Sequence, residues 1–177
     1  LGKAFDADHE GYWGISAEWL YKKPIAKKLE EIKSANGGRL VDFALYHIGT
    51  NDINTGDRAH GEKYVTKTVV PHIEKTIDAL RAHNPDITIL LCKIISIKNN
   101  QAVRMSLVDY LNGEHIDAIG KRKDTPRSRV IVVDQHAGFD ATRGADTYDG
   151  MHPNDRGGEK MAAKFYAAIK AHWAAKK

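Results

Sequence analysis

Three stretches of the chain are apolar almost without interruption: residues 40–48 (Leu-Val-Asp-Phe-Ala-Leu-Tyr-His-Ile), 87–95 and 129–133. Each is of strand length, and near-continuous apolar runs are what parallel strands covered on both faces require. Between and around them, apolar positions recur at helical spacing over residues 17–35, 63–83, 102–121 and 154–175. Asn36-Gly37-Gly38 closes the first helical pattern, and Asn84-Pro85-Asp86 turns the chain into the second strand. Pro24 and Pro71 fall inside helical patterns and predict a first turn or a kink there. Strand and helix alternate throughout, which predicts an α/β fold: a three-layer α/β/α sandwich with a parallel sheet, one domain over residues 1–177.

In such a sheet, ligands bind beyond the carboxyl ends of the strands. Three segments reach that edge: Gly49-Thr50-Asn51-Asp52, residues 96–101, and the long loop of residues 135–150. A loop of that length in a compact domain is more often functional than idle. It leads into Asp149-Gly150-Met151-His152-Pro153-Asn154, just before the last helical pattern. A carboxylate three residues before an imidazole can fix the tautomer of the ring. The imidazole can then take a proton from a nucleophile and return it to a leaving group.

Composition narrows the class. The chain has 177 residues, 42% hydrophobic and 28% charged, with a net charge of +4, which suits one domain with a single core. No apolar run reaches the roughly 20 residues that span a bilayer, so no membrane partner is expected. Basic clusters such as Lys121-Arg122-Lys123 are not interleaved with stacking aromatics, which argues against nucleic acid. The single cysteine, Cys92, lies in an apolar run and reads as a buried core thiol. No glycine-rich phosphate loop follows any strand. His9 and Glu10 form a metal-pair candidate, but no further ligands stand at typical spacing, so neither metal nor cofactor is expected.

Gly49-Thr50-Asn51-Asp52 after an apolar strand, together with Asp149-x-x-His152-Pro153-Asn154 before the last helix, resembles the third and fifth blocks of the SGNH (GDSL-type) hydrolases. The stretch Phe5-Asp6-Ala7-Asp8-His9-Glu10-Gly11-Tyr12-Trp13-Gly14 resembles the His-Glu-Gly segment of carbohydrate esterase family three, whose members include acetylxylan esterases. The resemblance implies a flavodoxin-like sandwich and a carboxylic ester hydrolase acting on small acyl esters, acetylated carbohydrates among them. It implies His152 as general base and Asp149 as its orienting carboxylate. Asn51, through its side-chain amide, and Gly14, through its backbone N–H, would be the oxyanion donors. Read from the residues alone, Asn51 with Asp52 can equally form a turn and a helix cap, and Gly14 a turn glycine.

One block of the family pattern is missing. No Gly-Asp-Ser, the block that holds the nucleophile, occurs in these 177 residues. The expectation is therefore of a chain truncated at its N-terminus, lacking the first two strands and the helix between them. Of the five serines, Ser34, Ser106 and Ser128 read as surface residues. Ser16 and Ser96 stand near strand ends and are the candidate substitute nucleophiles, although Ser16 also suits an N-cap before Ala17. His72, His83, His115 and His172 read as surface histidines and His47 as a hydrogen-bonded core histidine, while His136 is placed near the cleft.

Three readings follow: an ester hydrolase, a silent carbohydrate-binding or scaffold domain, and a fragment completed by a segment that supplies the serine. The whole protein is expected to be soluble and open to secretion. The strand at residues 40–48 becomes a sheet edge without proline or inward lysine, which predicts a homo-oligomer, most simply a two-fold dimer covering that strand and the segment around Phe5 and Trp13.

Overall fold

The structure, a computed structural model, describes residues 11–23, 25–55, 61–98 and 102–175. Three parallel strands, β1 (Phe43–Tyr46), β2 (Thr88–Lys93) and β3 (Val130–Asp134), lie in the order β1-β2-β3. Phe43 stands opposite Thr88, and Ile89 opposite Val130. Side chains of β2 alternate between two cores, as the two-residue period of a strand demands. Ile89 and Leu91 join the larger core, whereas Leu90 and Cys92 face the smaller one. Burial on both faces is what makes the run Thr-Ile-Leu-Leu-Cys continuously apolar. It also pushes the Cys92 thiol up to about 12, so this is the inert core thiol expected of it.

Helices cover the two faces. On the larger core pack α1 (Ala17–Lys22), α2 (Ile25–Ala35), α3 (Thr50–Thr55), α5 (Val70–His83), α6 (Ala102–Tyr110) and α7 (Asp117–Lys123). A short α4 (Gly61–Tyr64) leads into α5. The other face is covered by α8 (Asp155–Ala174), which sets Phe165, Ala168 and Ile169 against Leu90, Cys92 and Val133. The result is the α/β/α sandwich that the alternating pattern predicts. Residues 61–83 and 102–123 are continuous helices, each interrupted by a π-helical turn, Val65–Val69 and Leu111–Ile116. The second turn carries buried Asn112. Its Oδ1 accepts from Ile94 N–H at 2.8 Å and its Nδ2 donates to Ile94 O at 2.9 Å, pairing the backbone just past β2.

Several expectations need correction. The helix expected over residues 17–35 is two helices, α1 ending at Lys22 and α2 starting at Ile25; Pro24 itself lies outside the described residues. Pro71 stands at the second position of α5, inside the continuous helix and directly after the π-helical turn Val65–Val69, so it marks an irregularity of the helix and not its first turn. β1 and β2 are shorter than their apolar runs, because Ile48, Ile94 and Ile95 are buried past the ladder's end. Hydrophobicity therefore marks burial and not pairing. Ser128 is 2% exposed and not a surface residue; its hydroxyl donates to Ile87 O at 2.6 Å and accepts from Arg81 Nε at 3.0 Å. His172 is also buried, with Nε2 3.2 Å from Thr88 Oγ1 and the ring edge-on to Phe43. The His83 side chain is buried too, its Nδ1 3.2 Å from Glu30.

Among the described residues β1 is an edge strand, with Leu45 half exposed. Residues 1–10, which include Phe5, His9 and Glu10, lie outside the described residues. No described helix is long and apolar enough to cross a membrane.

Candidate active site

The loop from β3 to α8 is built around the start of α8. Asn154 caps the helix, its Oδ1 accepting from Gly157 N–H at 3.0 Å, while its Nδ2 donates to Ala145 O at 3.0 Å. Gly157 is required for this approach, since a Cβ there would stand 2.1 Å from Asp146 O. The Asp146 carboxylate is fully buried and receives Lys160 Nζ at 2.6 Å, Arg156 Nε at 3.2 Å and Asp140 N–H at 2.7 Å. Thr147 Oγ1 donates to Ala141 O and accepts from Gly150 N–H, both at 2.9 Å. Gly150, at φ +92°, turns the chain into Met151 and His152.

Asp149 then holds His152 at two points. Oδ1 accepts from the backbone N–H groups of Met151 (3.0 Å) and His152 (2.8 Å), and Oδ2 lies 2.7 Å from His152 Nδ1. The backbone N–H of His152, then its ring, hold the Asp149 carboxyl down at about 2. An ionised carboxylate only accepts, so Nδ1 must carry the proton of the neutral ring and Nε2 becomes its basic atom.

The opposite side of the site is assembled from residues distant in the chain. Gly49, at φ +120°, ends the segment after β1 with no room for a side chain, because a Cβ would meet Leu111 Cδ2 at 2.8 Å. The segment expected to be a turn is instead the start of α3. From α3, Asn51 Nδ2 donates to Ile15 O at 3.1 Å and Asp52 Oδ2 accepts from Ala17 N–H at 2.9 Å. These bonds fasten the tight turn Tyr12-Trp13-Gly14-Ile15, closed by Ile15 N–H to Tyr12 O at 3.4 Å with Gly14 at φ +64°. Asp52 is 2% exposed, and burial pushes its carboxyl up to about 6 against the pull of the Ala17 N–H.

Between the two sides lies a cavity of about 410 Å³ beyond the carboxyl ends of β1 and β2, lined by Tyr12, His47, Gly49, Asn51, Ile95 and His152 among others. Asn51 and His152 are thus brought together. Gly14 lies beside the lining residues Tyr12 and Ile15 without being one of them. His47, expected as a core histidine, accepts from Ile95 N–H at 3.4 Å through Nε2. Burial lowers its imidazole to about 4, which leaves it a neutral structural acceptor.

None of the five serines lines the cavity. Ser16 Oγ accepts from Trp19 N–H at 3.2 Å and caps α1, and Ser96 is half-buried beside Ile95. His136 does not line it either: Asp134 Oδ1 accepts from the N–H groups of His136 and Ala137, both at 2.9 Å, and the turn leaves the ring 3.9 Å from Asp109. No cluster of metal-ligating side chains occurs among the described residues.

Sequence reasoning missed two residues here. Asp52 offered one signal, its adjacency to Asn51. His47, the buried hydrogen-bonded histidine expected, also lines the cavity. Trp13, whose ring centroid is 6.1 Å from that of His152, gave no signal beyond its place before a glycine.

The model of the GDSL-like lipase/acylhydrolase family matches residues 18–165, and the chain belongs to that family. By its description, the family is one of lipases and acylhydrolases. Among relatives, a multidomain esterase of Ruminococcus flavefaciens is 27% identical over 175 residues, a match that takes in 95% of this chain and 21% of that protein. The chain thus spans about a fifth of that relative's length. A crystal structure of a carbohydrate esterase family 3 protein from Talaromyces cellulolyticus superposes with a TM-score of 0.77 at 24% identity, over 96% of this chain and 73% of that one. An acetyl esterase mutant, a serine-to-alanine variant solved with acetate ion, gives a TM-score of 0.75 at 25% identity, over 98% of this chain and 75% of the other.

Proposed function

We propose that this domain hydrolyses acetyl esters of carbohydrates, with His152 as general base and acid and Asp149 as the group that holds its tautomer. The observation that carries the reading is the doubly held imidazole: Asp149 Oδ2 2.7 Å from Nδ1 and Oδ1 2.8 Å from the backbone N–H of the same residue, beside a cavity that Asn51 also lines. In the cycle, His152 Nε2 takes the proton of the attacking hydroxyl as its oxygen bonds the acetyl carbon. Asn51 Nδ2 and the Gly14 N–H donate to the resulting oxyanion, a contribution of roughly 3 kcal/mol per donor. As the ester C–O bond breaks, His152 gives the proton to the departing sugar oxygen, which leaves as a hydroxyl, and water repeats the sequence to release acetate. The carbohydrate and acetyl specificity of the reading is supported by the relatives' names, a carbohydrate esterase and an acetyl esterase with acetate.

The nucleophile in this reading is a serine outside the five of this chain. The edge of β1, unpaired among the described residues, with Leu45 to Ile48 at and just past its end lining the cavity, suits a segment that delivers it beside His152. Residues 1–177 are read as one domain throughout. Because no serine of this chain lines the cavity, a second reading stands beside the first: a carbohydrate-binding domain without turnover. Hydrolysis of a small acetyl ester by the wild-type protein, lost in a folded His152→Ala variant, supports the first reading. Equal rates in the two, in a form of the protein that carries the nucleophilic serine, would defeat it. A serine-reactive phosphonate should leave Ser16 and Ser96 unlabelled; labelling of either would make that residue the substitute nucleophile.

A further inference from the structure

The ester-hydrolase reading leaves the alcohol half of the substrate undefined, and the rim of the cavity constrains it. Among the described residues that line the cavity there is no aspartate, glutamate, lysine or arginine. A charged leaving group would lose its hydration against this lining without gaining a counter-charge from it, which favours a neutral ligand. At the rim stands Trp13, 95% exposed, with its indole 6.1 Å from the His152 ring centroid at an interplanar angle of 51°.

This indole is displayed by a fixed turn. Gly14 takes the left-handed position, Ile15 N–H closes the turn on Tyr12 O, Asn51 Nδ2 holds Ile15 O, and the buried Asp52 carboxyl holds Ala17 N–H. A large aromatic kept in water by an anchored turn, in contact with the imidazole of a candidate active site, forgoes the burial that such a ring otherwise reaches. The neutral ligand that gains most from a flat, rigid aromatic face is a sugar ring, because a pyranose carries its C–H bonds together on one face and its hydroxyls at the rim.

We propose that Trp13 is a sugar platform: its exposed indole face stacks on the C–H face of a neutral pyranose and so presents an ester on that ring to the cavity beside His152. The second half of this statement rests on the ester-hydrolase reading; the stacking does not.

The test separates the two. The protein, labelled with ¹⁵N at its three tryptophans, is titrated with unacetylated xylo-oligosaccharide while the indole N–H signals are followed, and Trp13→Phe assigns the signal of Trp13. The proposal expects that signal to shift and saturate while those of Trp19 and Trp173 stay in place. It expects binding to weaken about tenfold in Trp13→Ala and to be partly retained in Trp13→Phe. A galacturonate oligosaccharide of equal length, which is anionic, should bind worse. An unmoved Trp13 signal at millimolar sugar, or unchanged affinity in Trp13→Ala, overturns the proposal. So does an indole that shifts only with protein concentration, since a polypeptide would then be its cover. With an acetylated xylo-oligosaccharide, in a form of the protein that turns it over, Trp13→Ala should lower kcat/KM about tenfold, chiefly through KM. A form of the protein that carries the nucleophilic serine, shifts its Trp13 signal and yet does not hydrolyse this ester would sink the hydrolase reading and leave the sugar platform standing.

Discussion

The two sides of the cavity are specified in opposite ways. On the His152 side the bonds that matter are local: Asp149 reaches Met151 and His152 two and three residues on, and Asn154 reaches Gly157 three residues on. On the Asn51 side they span the fold. Asn51 reaches Ile15 across 36 positions, and Asp52 reaches Ala17 across 35. A local motif carries its geometry wherever the chain places it, whereas a long-range clamp exists only once the sheet has formed. The difference teaches that one half of this site is a sequence property and the other a property of the fold, and each can be broken separately.

The largest effect expected is on the local side. Asp149→Asn keeps the size and can still accept from the backbone, but its amide can donate to Nδ1 and favour the wrong tautomer. In whatever form of the protein is active, it should lower kcat by roughly 10³- to 10⁴-fold with KM little changed. A change confined to KM would mean that Asp149 binds substrate instead of orienting the base.

The long-range side should respond in stability and in its pH dependence. The Asp52 carboxyl titrates at about 6 in the folded protein, above the ordinary value of 3.8, because burial penalises its charge. A group raised in this way contributes its full stability below the unfolded value and loses it as pH rises through the folded one. The wild-type protein should therefore lose up to about 3 kcal/mol of unfolding free energy between about pH 4 and pH 6 through this group. Asp52→Asn keeps an acceptor for Ala17 N–H and cannot ionise, so urea unfolding of the variant should lack this loss and show at least wild-type stability at neutral pH. If the variant keeps the loss, another group is responsible for it.

The smallest effect is that of the helix cap. Asn154→Ala removes the bond to Gly157 N–H and should cost about 1 kcal/mol in urea unfolding. The bonds from Asp149 to His152 should survive it, because none passes through Asn154. Loss of activity well beyond the loss of folded protein would show that the local motif depends on its helix after all.

How far the sequence could be read follows the same division. The apolar runs of the strands, the helical spacing between them and the closeness of Asp149 to His152 depend on neighbours within a few positions, and these were legible. The start of α3 at Thr50 was not, since Gly49-Thr50-Asn51-Asp52 reads as a turn until Leu111 and Ile15 are in place around it. Ser128 and His172 were misread for a related reason: their partners, Arg81 with Ile87 and Thr88, come from elements more than 40 positions away. His136 was misplaced because the turn at Asp134 carries it off the cavity. Trp13 carries no mark in the sequence of being left in water, because exposure is decided by what fails to pack on it.

The central claim is that Asp149 makes Nε2 of His152 the basic nitrogen of the site. ¹⁵N NMR of the imidazole of His152, at a pH where the ring is neutral, measures this without any need for turnover. The account predicts a protonated Nδ1 coupled to its proton and an unprotonated Nε2 in the wild-type protein, with that preference reduced or reversed in Asp149→Asn. A wild-type His152 that carries its proton on Nε2 would contradict it.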